Sequence, residues 1–201
     1  MISVLLLLSW ALLGLAPSAQ AFTPYRLIFG AAKSPESVTV FARDKRLKSQ
    51  LKRALVVAVP EATLSVSSYV VGGHAYLVGW VDDAKERNDL EEAAINMGGL
   101  QSVDVYLPIK KTGDEAPSSV DEMKLKTSVL ASLVEALGTD RTNVSVDVLG
   151  THVVLVGVLA SADEVHSARA AAEGTHGVSG VTSYLSVPPV EDRKLLGRLL
   201  P

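Results

Sequence analysis

Hydrophobic residues recur along this chain in two rhythms, and the same succession of rhythms occurs twice. From Asp44 to Ala58, the residues Leu47, Leu51, Ala54, Leu55 and Ala58 fall at helical spacing and predict a helix with one apolar face. Pro60 stops it. Leu64 to Val70 turns in part to a period of two, as a half-buried strand does. Val71-Gly72-Gly73-His74 is a hairpin signal, and Ala75 to Val81 is the second strand. A second helix is expected after Asp82, a good N-cap type, ending near Gly98-Gly99. A last strand covers Val103 to Leu107.

Sliding the sequence along itself by 78 positions, without a gap, overlays residues 44–107 on residues 122–185 with 21 identities in 64 positions. Leu47/Leu125, Lys48/Lys126, Leu55/Leu133, Gly72/Gly150, His74/His152, Gly79/Gly157, Gly99/Gly177 and Tyr106/Tyr184 are among them. The second copy therefore has a helix over about 121–137 stopped by Gly138. A hairpin follows, with strands Asn143 to Val148 and Val153 to Leu159, then a helix after Ser161 and a strand from Val181 to Val187. The fold class is α+β, two tandem αββαβ units. Each is a three-stranded mixed sheet with two helices on one face, the hairpin antiparallel and the third strand parallel to a neighbour after its helical crossover. The repeated strand glycines Gly79 and Gly157 suggest close approach by the second helix, with Ala93-Ala94 and Ala171-Ala172 as its contact points.

Outside the repeats the pattern changes. Ile2 to Ala16 is an uncharged apolar run followed by Ala19-Gln20-Ala21, which fits a signal peptide over residues 1–21 cleaved after Ala21, although its start carries no Lys or Arg. Fifteen residues of helix reach only about 22 Å, short of a roughly 30 Å hydrocarbon core. Residues 22–43 form an N-terminal segment. Residues 108–118 are a polar linker rich in Pro, Gly and Ser, and 188–201 are a tail with leucines among Arg193, Lys194 and Arg198. Export makes the expected location the periplasm, with a peripheral position at a membrane.

Composition narrows the function. Lys+Arg 19 against Asp+Glu 22 gives a net charge of −3, which removes the electrostatic basis for nucleic-acid binding. There is no cysteine, so disulfides, thiolate metal sites and an acylated cysteine anchor are unavailable. No GxSxG, P-loop, GxGxxG or HExxH occurs, so no catalytic residue, cofactor or small-molecule substrate is expected. His74 and His152 share a repeat position but have no second ligand at metal-binding spacing, so no metal is expected there.

The two αββαβ units behind a signal peptide resemble BON domains. The resemblance is carried by Tyr76-Leu77-Val78-Gly79-Trp80-Val81 and Val154-Leu155-Val156-Gly157-Val158-Leu159 after a glycine turn, and by the Gly-x-x-x-Val approach to the last strand (Gly99 to Val103, Gly177 to Val181). It places one BON domain at 44–107 and a second at 119–187. It implies a non-enzymatic bacterial envelope protein, periplasmic or outer-membrane attached. Such a protein binds anionic phospholipid surfaces and supports envelope integrity or osmotic stress tolerance. The other class kept open is a soluble periplasmic protein-interaction or stress-protective module without lipid affinity, whose partners are envelope proteins.

Two sets of residues are candidates. Lys45, Arg46, Lys48, Lys52 and Arg53 lie on the first helix away from its leucine stripe and could meet anionic head groups, or could simply be solvated or paired to the acidic second helix. At the start of the third helix, Met123 beside Lys124 and Lys126 could insert at a membrane interface or pack as an ordinary helix-start residue. The second unit holds four basic against eight acidic side chains over 119–187, so contact there needs apolar insertion. Tyr76, Val78, Trp80 and Val154, Val156, Val158 alternate on the sheet faces opposite the helices. Those faces need a cover, from the other unit or from a partner.

Overall fold

A computed structural model describes residues 35–111 and 118–187. The run expected to be a signal peptide, the segment up to residue 34, most of the linker and the tail lie outside the described residues. The first unit runs α1 (Pro35–Ala58), β1 (Val66–Val71), β2 (His74–Gly79), α2 (Ala84–Asn96) and β3 (Ser102–Tyr106). The second runs α3 (Ser119–Leu137), β4 (Val144–Leu149), β5 (His152–Val158), α4 (Ala162–Glu173) and β6 (Gly180–Ser186). Short 3-10 turns, Glu61–Leu64 and Gly138–Asn143, join the first helix of each unit to its first strand.

Each sheet is mixed, in the order β1-β2-β3 or β4-β5-β6. The hairpin strands are antiparallel, with Tyr69 opposite Tyr76 and Asp147 opposite Val154, while β3 and β6 run parallel to the central strand. The helices start where local chemistry offers an acceptor to free amides. Asp83 and Ser161, at the same repeat position, accept from the amides of Glu86 and Glu164, and Ser118 accepts from that of Asp121. Glu164 Oε2 in turn accepts the amide of Ala160 at 3.0 Å, so the end is satisfied from both directions.

Three hydrophobic clusters form. In the first unit Leu47, Leu51, Leu55, Leu77, Val81 and Leu90 bury the helix faces against the inner face of the sheet. In the second, Val129, Leu133, Val153, Leu155, Leu159 and Ala168 do the same. The third cluster joins the units: Val71 and Val78 pack with Leu149, Val154, Val156 and Val158, flanked by Tyr69, Tyr76, Trp80, Tyr106 and Tyr184. The architecture is thus four layers, helices, sheet, sheet, helices, with the two sheets face to face.

Three sequence expectations need correcting. The first helix begins at Pro35 rather than near 44, so the end of the presumed N-terminal segment is helical and delivers Phe41 to the inter-unit cluster. Proline suits a first helical position because its missing N–H has no partner there anyway. The linker starts later than 108, because Val81 bridges to Ile109 and the Lys110 amide donates to Val81 O at 2.7 Å. The strand glycines face a strand, not a helix. A Cβ on Gly79 would stand 2.1 Å from Ser65 O, and one on Gly157 would stand 2.1 Å from Asn143 O.

Candidate functional site

The outer faces of the sheets are occupied. Tyr76, Val78, Trp80, Val154, Val156 and Val158 all lie in the cluster between the units. Alternation forces this placement: Ala75, Leu77 and Val81 point to the helices, so Tyr76, Val78 and Trp80 point away from them. The rings meet across the seam, Tyr76 against Tyr184 at 4.8 Å and Tyr106 stacked on His152 at 4.6 Å between centroids.

Polar groups fix the register of that seam. Tyr69 Oη donates to Asp147 Oδ2 at 2.7 Å, and these residues hold the same position in the two repeats. Contact between equivalent positions is what an approximate two-fold arrangement of the copies produces. Lys126 Nζ stands 3.5 Å from the other oxygen of Asp147. Glu122 Oε1 accepts the Gly150 amide at 2.6 Å and the Trp80 indole N–H at 3.0 Å, tying a first-unit side chain to a second-unit turn. Its repeat equivalent, Asp44, is 2% exposed and takes the amides of Gly72 and Gly73 at 2.6 and 2.9 Å. Neither residue of this pair is among the candidates that the sequence patterns single out. The available signal was an acidic residue at one repeat position, 28 residues before the glycine turn in both copies.

Burial pushes the phenols of Tyr69, Tyr76, Tyr106 and Tyr184 upward, and the carboxylate of Asp147 adds to the effect at Tyr69. Each folded value therefore lies above the unfolded one, near 10. The stability they contribute is complete below pH ~10 and is lost as pH rises beyond it. Phenolate absorbance of the folded chain is expected to lag that of the chain in urea, with unfolding free energy falling above pH ~10. Coincident titration curves would contradict the buried seam.

The histidines brace strands. His74 Nδ1 lies 2.8 Å from Ser102 Oγ, and His152 Nε2 lies 2.9 Å from Thr182 Oγ1. Among the described residues no group of three or more His, Cys, Asp or Glu could hold a metal ion.

The charged candidates divide. Lys45, Arg46, Lys52 and Arg53 are exposed on α1 and make no ion pair among the described residues; the pairs to α2 that the sequence allowed do not form. At 100° per residue these four share the outward face of α1 with Val56 and Val57. Val57 is 83% exposed, and Leu64 in the following turn is 98% exposed. Lys48 leans inward, its Nζ 5.4 Å from the centroid of the Tyr69 ring. In the second unit Lys124 is paired with Asp121 and Lys126 with Asp147, while Met123 is 64% exposed beside Val120. No helix among the described residues is long and apolar enough to cross a membrane.

No curated protein matches the sequence. Among solved structures the chain is similar to CdsD, a structural protein of the type III secretion system of Chlamydia trachomatis, at 17% identity and a TM-score of 0.32, covering 79% of this chain and 70% of that one. It is also similar to the CdsD C-terminal domain from the same organism, at 15% identity and a TM-score of 0.30, covering 73% of this chain and 67% of that one. The family model of the BON domain matches twice, over residues 43–111 and 121–189. BON domains are binding rather than catalytic modules and are known in envelope and periplasmic proteins. With both repeats matched end to end, the chain belongs to the BON-domain family.

Proposed function

We propose that this is an exported, non-catalytic protein of the bacterial envelope that binds anionic phospholipid surfaces through the outward face of α1, supporting envelope integrity or osmotic stress tolerance. In this reading the signal is cleaved after Ala21 and the mature protein is periplasmic, resting peripherally on a membrane. The observation that carries it is the set Lys45, Arg46, Lys52 and Arg53, exposed on one helix face without an ion-paired carboxylate among the described residues. Each cation near an anionic leaflet contributes about 1 kcal/mol. Val56 and Val57 close that face with exposed apolar surface able to enter the interface.

Flotation of the chain beginning at Phe22 tests this, with vesicles of phosphatidylglycerol or of phosphatidylcholine alone. Binding is expected with the anionic vesicles and is expected to weaken as salt rises, because the attraction is screened over ~8 Å at physiological ionic strength. Replacing Lys52 and Arg53 together by Gln removes about 2 kcal/mol, roughly a thirtyfold loss of partitioning. Met123→Glu reports on the second unit. Absence of flotation at every salt concentration moves the function to protein interaction within the envelope.

A further inference from the structure

A groove of about 250 Å³ lies between α1 and the edge strand β1. Its floor is apolar, with Leu55, Ala62 and Leu90, and its polar lining is Lys48, Lys52, Ser67 and Ser68. Neither lysine is ion-paired among the described residues. Burial, and then the charge of Lys52, pull the Lys48 ammonium below its ordinary range, as expected of two cations that converge with no anion between them.

The second repeat shows the same place with its charge met. Lys126 stands where Lys48 does, and Asp147 stands where Tyr69 does, so the lysine has a carboxylate 3.5 Å away. Lys52 is replaced there by Leu130. Compared with the second unit, the first lacks the carboxylate and carries a second cation at this groove. That combination suits an anion supplied from outside.

We propose that the groove between α1 and β1 seats a phosphate group, held by the ammonium groups of Lys48 and Lys52 and by the hydroxyl of Ser68, which shares the helix-facing side of β1 with Val66 and Val70. The apolar floor takes the carbon atoms esterified to that phosphate. The volume is below the range of drug-sized pockets and fits a head group rather than paired acyl chains. In taking the phosphate from a lipid, the assignment rests on the membrane reading and adds a stereospecific seat to a diffuse cationic face.

The test uses the processed chain purified from the producing cells. Its amide resonances are followed by NMR during addition of dihexanoyl phosphatidylglycerol below its micelle concentration, and separately of inorganic phosphate, with flotation on phosphatidylglycerol vesicles in parallel. Saturable shifts centred on Ser67 and Ser68 are expected. Lys48→Gln and the surface variant Lys52→Gln should each weaken them on the order of tenfold, the loss of one charge-assisted contact. Arg46→Gln, on the outward face, should leave them within twofold. Tighter binding of the short-chain lipid assigns the seat to a head group, and equal binding of inorganic phosphate assigns it to the free anion. If vesicles bind but neither probe moves Ser67 and Ser68, the groove assignment falls while the membrane reading stands. If the probes bind but no vesicle floats, the seat is kept and the membrane reading falls.

Discussion

Val154→Asp is expected to open the seam between the two units and to lower the unfolding free energy by more than about 4 kcal/mol, a large share of what a domain of this size possesses. Val154 is fully buried at the centre of the inter-unit cluster. A carboxylate there loses its hydration among apolar groups, and Lys126, the cation beside its cross-strand neighbour, is already paired with Asp147. It also stands directly opposite Asp147 in the β4–β5 register, where a second negative charge repels the one already bonded to Tyr69. Val154→Ala is the companion variant. It removes two buried carbons at about 0.8 kcal/mol each, with an added cavity term, and leaves the electrostatics alone. Urea unfolding measures both. A loss under about 1 kcal/mol for the aspartate variant would mean that the face is not closed in solution.

Much of this architecture was legible because the chain states it twice. The gapless offset of 78 gave the order of elements in both units, and alternation in β2 and β5 assigned Tyr76, Val78, Trp80, Val154, Val156 and Val158 to one kind of face. Periodicity names the face but not what meets it. The glycines show the same limit: Gly79 and Gly157 announce a close neighbour, and the neighbour is the backbone entering the paired strand rather than α2 or α4. Pairing of the cations was out of reach for a related reason. Helical spacing shows that Lys124 and Lys126 are close to Met123, whereas the partner of Lys126 arrives from β4 across the fold. The start of α1 is not legible in the repeat because residues 35–43 have no counterpart in the overlay.

Gly157→Ala is the second substitution expected to have a large effect, and it isolates sterics from conformation. Gly157 has no positive φ, so alanine faces no backbone strain at this position. The added Cβ would nevertheless stand 2.1 Å from Asn143 O and 3.1 Å from the carbon bearing it. Both are backbone atoms at the entry to β4, and Asn143 itself is 2% exposed, so no side chain can rotate away to make room. The strand pair must separate locally, and Val144, which faces Gly157 in the register and belongs to the second core, must move with it. A cost of about 3 kcal/mol is expected, at the upper end of overpacking in a dense core. Gly98→Ala is the complementary control. Its φ of +73° disfavours a side chain, yet nothing lies within 4 Å of the new atom, so only the conformational cost of about 1 kcal/mol remains. If chemical denaturation ranks the two variants in the opposite order, the close approach of the Asn143 carbonyl is not what requires glycine in β5.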